Sequence, residues 1–468
     1  MERDQLETIV GQVLDRIRAG NAAPARTEAP KKGHGVYKTV SDAVGAATDA
    51  QRLLVALPLE KRREIIANIR KRAAEDVRSL AQFAVEETGL GRVEDKIKKN
   101  LLVIYKTPGP EILEPIAYTG DDGLTLIERA PYGVIAAITP STNPTETILC
   151  NGIGMVSGGN TVVFNTHPGA KGVSAYVIDL INRASMEVGG PDNIMTVIES
   201  PTIESANELL RYKGIRLNVV TGGPAVVKAA LAANKKCIAG GPGNPPVVVD
   251  EWADIDQAAR GIIAGASFDN NIICCDEKET FVVDKVADKL IEGMAGHGAV
   301  VLRNHQITRL EKLILNAERD HTVTKWVGKN AAEYLKQIDV PVKGDPRLIV
   351  CEVPFDHPFV QLELLMPIMS VVRTRDVHEA IDLAVKAEHG FGHTASMYSK
   401  NIDNLHRMAR VSNVSIFVKN APNFAGLGFQ GEGYTSFTIA SPTGEGLTTA
   451  RNFTRERRCV LSGHFRIV

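Results

Sequence analysis

Aromatic residues are scarce in this chain of 468 residues, at 5%, and there are only two tryptophans. With a formal net charge of −1, the sequence offers neither the stacking platforms nor the basic stripe that nucleic-acid binding requires. Cysteine is also scarce. Cys150, Cys237, Cys274, Cys275, Cys351 and Cys459 show neither the spacing of a disulfide framework nor that of a zinc site, so no metal is expected. Reduced thiols in a cytoplasmic compartment are the simplest expectation. There is no run of eighteen apolar residues, which excludes a helical membrane span, and no apolar signal core is expected at the N-terminus. What remains is ordinary globular material, 44% hydrophobic and 23% charged, enough for two or three domains.

The first 20 residues place Leu6, Ile9, Val10, Val13, Leu14 and Ile17 on one stripe of a short amphipathic helix. Residues 21–35, rich in Ala, Pro and Gly, have no periodicity and read as a flexible linker. A tethered helix cannot bury its own stripe. By pattern alone it fits equally a fold-back against its own subunit or a neighbour, and an addressing helix for a groove on another protein. The stripe lacks Trp and Phe, which disfavours a membrane surface.

Helices are expected at 41–57 and 59–88. Strand and helix then alternate: strands at 133–139, 161–164, 194–199 and 216–220, helices from Pro144, from Pro168 to Val188, and from Ile203. This alternation predicts a doubly wound parallel sheet with ligands at the strand C-termini. Two of those ends carry candidate chemistry. Thr221, Gly222 and Gly223 lie between a strand and a helix, where small residues let a phosphate reach free amides, or where a turn needs positive φ. Asn165, Thr166 and His167 end another strand, either as donors to a ribose or adenine or as plain turn residues. GLGFQG (426–431) matches a dinucleotide fingerprint by letter, but no strand–helix context surrounds it, so it reads as a loop.

A second α/β domain follows, with the run FDNNIICCDEK (268–278) near its start. In an extended segment, adjacent Cys274 and Cys275 would face opposite ways, so only one could face a given cleft. The segments 112–130 and 434–468 have strand character and suit pairing with another subunit.

FDNNIICC, LELLMP, FGHTA, TPSTNPT and SPTGEGLTTARNFTRERRCVL together resemble the aldehyde dehydrogenase superfamily, from about residue 36 onward. Within it the likeness is to the CoA-acylating branch of bacterial microcompartments. The resemblance implies an α/β aldehyde dehydrogenase-like fold: an NAD-binding domain (36–111 and 131–238), a catalytic domain (239–433) and oligomerisation strands (112–130 and 434–468). It implies Cys274 as nucleophile, Asn143 as side-chain donor to the alkoxide, and His393 as an aid to substrate or CoA. Taken alone, Asn143 would serve equally as a helix cap and His393 as a structural loop histidine. Cofactor contacts are expected from Thr221, Gly222, Gly223, His167, Pro168, Thr139 and Glu363. Free thiols ionise near pH 8.5, so the surroundings of Cys274 are expected to favour its thiolate.

Hydrolytic relatives activate water with a glutamate. Here that position holds Ile238, and no carboxylate occurs from Asn218 to Val249. NAD and coenzyme A are therefore the expected cofactor and co-substrate, and a small aldehyde (propionaldehyde or acetaldehyde) the substrate. The resemblance also makes the N-terminal helix an encapsulation tag for a shell protein, in the lumen of a bacterial microcompartment, on a homodimer or homotetramer. The competing readings are a hydrolytic aldehyde dehydrogenase and a catalytically silent scaffold.

Overall fold

The computed structural model describes residues 3–19 and 33–468. Most of the linker expected at 21–35 therefore lies outside the described residues. The chain forms two compact units: Met1–Glu87, Ile97–Gly240 and Tyr434–Val468 in the first, Thr88–Lys96 and Gly241–Gly433 in the second. Residues 88–96 were expected with the first domain. They group with the second because the Arg92 N–H and the Lys96 ammonium both bind Asp269.

In the first unit a parallel six-stranded sheet runs in the order 36–37, 195–198, 161–166, 134–139, 217–221, 236–240. Val134–Thr139 and Thr161–Thr166 are buried at every residue, as expected of strands covered by helices on both faces. From 134–139 the chain order rises outward to 195–198 on one side and to 236–240 on the other, with the early strand 36–37 added at the edge beyond 195–198. The order thus reverses between the strand ending at Thr139 and the strand ending at Thr221, the place where doubly wound sheets bind ligands. Pro144 opens the wholly buried helix Pro144–Ser157 immediately after this edge.

The second unit holds a parallel seven-stranded sheet in the order 300–301, 349–352, 368–374, 279–283, 246–249, 394–398, 416–419. Its core includes Val248, Phe281, Val350, Met369 and Met397, all fully buried. The antiparallel strands Ile116–Gly120, Gly123–Pro131 and Thr454–Ser462 form a separate three-stranded sheet in the first unit, with Ile116, Tyr118 and Val460 exposed.

Three sequence expectations change in detail. The helix expected over 59–88 breaks at Asp76 into Leu59–Glu75 and Val77–Thr88, and the Asp76 carboxylate takes the Tyr176 hydroxyl. The helix expected from Pro168 begins as a 3-10 turn, Pro168–Ala170. The α-helix Lys171–Glu187 starts where the Glu87 carboxylate accepts the N–H groups of Gly172 and Val173. At the N-terminus, Arg3–Arg18 is the expected helix, and Leu6 and Val10 of its stripe are already buried, at 2% and 6% exposure. GLGFQG follows its loop reading: a 3-10 turn, Asn423–Leu427, runs into it, with Phe424 and Phe429 packed on Phe268.

Candidate active site

The segment entering the cysteine pair is a tight turn rather than a strand. Asp269, Asn270 and Asn271 have φ of 45°, 57° and 65°, three successive left-handed residues. Asp and Asn tolerate this region best, yet each such residue still costs on the order of 1–3 kcal/mol. Dense hydrogen bonding offsets that cost. Asp269 accepts from the Arg92 N–H at 2.7 Å and from the Lys96 ammonium at 3.0 Å. Asn270 donates to the Gly328 carbonyl at 2.9 Å and accepts from Arg92 at 3.0 Å. Asn271 donates to the carbonyls of Ala266 and Glu277, at 2.9 and 2.8 Å. The Lys278 ammonium, itself buried, closes the turn on Asn271 Oδ1 at 2.6 Å and on the carbonyls of Asn271 and Ile273 at 3.0 and 3.1 Å. The two cysteines thus differ because of the turn, not because of strand alternation: Cys274 is half-buried and Cys275 fully buried.

Gly243 joins Cys274 to two other candidates. A β-carbon there would lie 2.6 Å from the Cys274 carbonyl oxygen and 3.0 Å from the His393 ring, so only glycine lets the three pack. Its N–H also points at Glu363 Oε1, at 3.5 Å. His393 is buried. Its Nδ1 meets the Thr394 hydroxyl at 2.9 Å, its N–H donates to Glu388 at 2.8 Å, and its Nε2 has no partner among the described residues. Burial, and then Lys278, push His393 down to about 3, so the ring is neutral, and the Thr394 contact decides which ring nitrogen carries the hydrogen. Burial also pushes Glu363 up to about 7. For Cys274, burial and then Glu363 push the thiol up to about 12, against the pull of Lys278 and of its own N–H. The expectation of a resting thiolate is therefore corrected: the sulfur is desolvated beside an acid, and at rest it keeps its proton. Sequence reading missed Lys278 and Gly243. The lysine was visible four residues after Cys274, but nothing in the pattern showed that it turns inward.

In the first unit, Thr139 and Thr166 end neighbouring strands with buried hydroxyls that have no partner among the described residues. Thr221 ends the strand on the other side of Thr139, and its hydroxyl meets Thr438 at 2.8 Å. Gly222 and Gly223 do not adopt positive φ, which removes the turn explanation for them. A β-carbon on Gly223 would meet nothing, so the first turn of the helix Pro224–Leu231 is open to approach. Free amides at that turn and orphaned hydroxyls along the strand ends fit a dinucleotide. His167 and Pro168 are exposed at the same edge, and His167 Nδ1 caps Gly169 N–H at 3.0 Å. Asn165 does not fit the donor reading, because it is tied to Thr202 and Ser205 at the start of a helix.

Asn143 stands at the N-cap of Pro144–Ser157 but makes no side-chain capping bond, which removes its helix-cap reading. Its Oδ1 accepts from buried Lys99 at 2.6 Å. Ile238 is fully buried in its strand, with no carboxylate in the surrounding segment 218–249.

The family model described as "Aldehyde dehydrogenase family" matches residues 23–441. The chain belongs to the aldehyde dehydrogenase family. Within the family, acetaldehyde dehydrogenase (acetylating) EutE of Salmonella typhimurium is 49% identical over the whole of both chains. A Rhodopseudomonas palustris propionaldehyde dehydrogenase, solved with bound CoA and an acylated cysteine, is 46% identical with a TM-score of 0.90, over 92% of this chain and 98% of that one. A propionaldehyde dehydrogenase from the fucose-utilisation microcompartment of Clostridium phytofermentans is 45% identical with a TM-score of 0.91, over 93% and 100%. The Salmonella relative is named as acetylating and the Rhodopseudomonas enzyme carries CoA and an acylated cysteine, and the chain sides with that CoA-acylating branch.

Two outcomes follow from the electrostatics. Lys278→Gln keeps a donor to the turn but loses the charge. It is expected to slow iodoacetamide alkylation of Cys274 at pH 8 roughly tenfold, the equivalent of about one pKa unit, read by mass spectrometry of the peptide. Glu277, fully buried with one oxygen on the Asn423 N–H, is pushed up to about 8 by burial. Its contribution to stability is fully present below about 4.5, where the unfolded carboxyl titrates, and is lost as pH rises toward 8. Glu277→Gln is expected to flatten that decline in urea midpoints between pH 5 and 8.

Proposed function

We propose that this chain oxidises a short aldehyde, acetaldehyde or propionaldehyde, with NAD+ and transfers the acyl group to coenzyme A through a thioester on Cys274. When bound, NAD+ supplies the hydride acceptor and CoA the acceptor thiol. The chain's own residues supply the rest. Cys274 attacks the carbonyl after losing its proton, and Glu363, raised to about 7, is the acid beside it best matched to receive one. The developing alkoxide takes hydrogen bonds from the Asn143 amide and the Cys274 backbone N–H. Collapse of the alkoxide expels hydride and leaves the acyl group on sulfur. His393, neutral and with Nε2 unpartnered among the described residues, positions the substrate or aids attack by the incoming thiolate. Thr139, His167, Pro168, Thr221, Gly222, Gly223 and Glu363 are assigned to the dinucleotide.

The observation that carries the reading is buried Ile238 at the position where the hydrolytic branch has its base. Without a carboxylate there, water is a poor acceptor for the acyl group, whereas a thiol is already partly ionised near neutral pH. The reading extends to a homodimer or homotetramer, supported by the exposed apolar residues of the three-stranded sheet. It also extends to residence in a microcompartment lumen through the Arg3–Arg18 helix, supported by the compartment named for the Clostridium relative.

Cys274→Ala is expected to abolish NADH formation while Cys275→Ala retains most of it, and the native enzyme is expected to turn over only with CoA present. Equal rates with and without CoA would instead establish a hydrolase. Deleting residues 1–20 is expected to leave soluble activity intact and to abolish co-sedimentation with shells. Loss of activity would make the helix structural.

A further inference from the structure

Lys99 and Glu146 form a fully buried ion pair at 3.2 Å, and the mechanism above uses neither. Burying two charges is expensive, and an apolar pair of similar volume would hold the fold as well or better. The geometry indicates a different use. Lys99 Nζ lies 2.6 Å from Asn143 Oδ1, and Asn143 Nδ2 gives one of its two hydrogens to the Thr142 hydroxyl at 3.2 Å. An ammonium can only donate. The atom of the Asn143 amide that faces Lys99 must therefore be its oxygen, and the NH2 group must face the other way. An amide free to turn over would present its oxygen to an alkoxide half of the time, where it repels instead of stabilising.

We infer that Lys99 is a positioning residue, which locks the Asn143 side-chain amide with its N–H groups toward the reacting oxygen and is itself held by Glu146. Asn143 is only 6% exposed and makes no helix-capping bond, and of its contacts with Lys99 and Thr142 the one to the cation is the contact that admits only the amide oxygen. The ion pair is then part of an oxyanion device built in advance: the donor is oriented before charge develops and does not reorganise when it does. This inference rests on the reading of Asn143 as the alkoxide donor, and the test separates the two.

The experiment compares steady-state kinetics of Asn143→Ala, the charge-balanced pair Lys99→Met with Glu146→Gln, and all three substitutions together. Asn143→Ala is expected to lower kcat by about 10²–10³-fold, the usual effect of losing one such donor. The charge-balanced pair is expected to lower kcat by a comparable factor with the KM for aldehyde little changed, and the triple variant to be no slower than Asn143→Ala alone. Should the pair fail to fold, Lys99→Gln serves instead, because a neutral amide can face Asn143 either way round; it is expected to lower kcat at an unchanged melting temperature. A lysine variant at full kcat, or losses that multiply in the combined variant, would overturn the positioning role. Asn143→Ala at full kcat would overturn the reading of Asn143 itself, and the role of Lys99 with it.

Discussion

Three consecutive left-handed residues ahead of Cys274 are the constraint on which the second unit's candidate site depends. Asp269, Asn270 and Asn271 would not hold that conformation alone, since together they cost several kcal/mol. The surroundings over-determine it. Asp269 has its ammonium and amide partners, Asn270 its carbonyl and guanidinium, and Asn271 two carbonyls and Lys278. A turn fixed at every residue delivers Cys274 to one place, and that placement is what a nucleophile needs from a scaffold. The same demand explains why residues 88–96 travel with this unit. Gly91 is part of it: a β-carbon there would lie 2.1 Å from Asp269 Oδ1, so the backbone of the segment can close on the carboxylate only without a side chain.

The same burial that fixes the turn sets its protonation. Cys274, Glu363 and Glu277 are all pushed toward their neutral forms by desolvation, and so is His393. Lys278 is the cation that acts on all four, drawing the thiol and the two acids down and keeping the imidazole neutral. A resting site of this kind holds few free charges. Its thiol and its imidazole are both favoured in their neutral forms. Such a state suits a reaction in which a second thiol, bringing its own proton, completes the turnover. It suits water less well, because buried Ile238 offers no carboxylate at the position where the hydrolytic branch has its base.

The fold was largely legible because its cues are local. Alternating apolar strands and amphipathic helices, Pro144 at a helix start, and Thr221–Gly223 at a strand end all declare themselves within a dozen residues. The dismissal of GLGFQG rested on missing context and matches its 3-10 turn. What stayed hidden depends on distant partners. The break at Asp76 answers to Tyr176, a hundred residues away, and the helix start at Lys171 answers to Glu87. Adjacent side chains alternate only in an extended segment, and the signal that this segment is a left-handed turn instead lay in Asp269, Asn270 and Asn271. Lys99 and Lys278 read as ordinary surface charges in one dimension. Only folding shows that each is buried with oxygen partners aimed at it.

The N-terminal helix adds a second competition, between partners rather than between protonation states. Leu6 and Val10 lie buried within the chain itself, while Ile9, Val13 and Leu14 are half-covered. A groove on another protein that takes this stripe gains only the difference between the new burial and the burial it replaces. The apparent affinity of the whole chain is lower than that of the bare helix by the fraction of time the helix stands free. Such an arrangement keeps part of an apolar stripe covered while no partner is bound. Burial of Leu6 and Val10 within the chain is what the fold-back reading expects, and an addressing role would require the helix to leave that contact first.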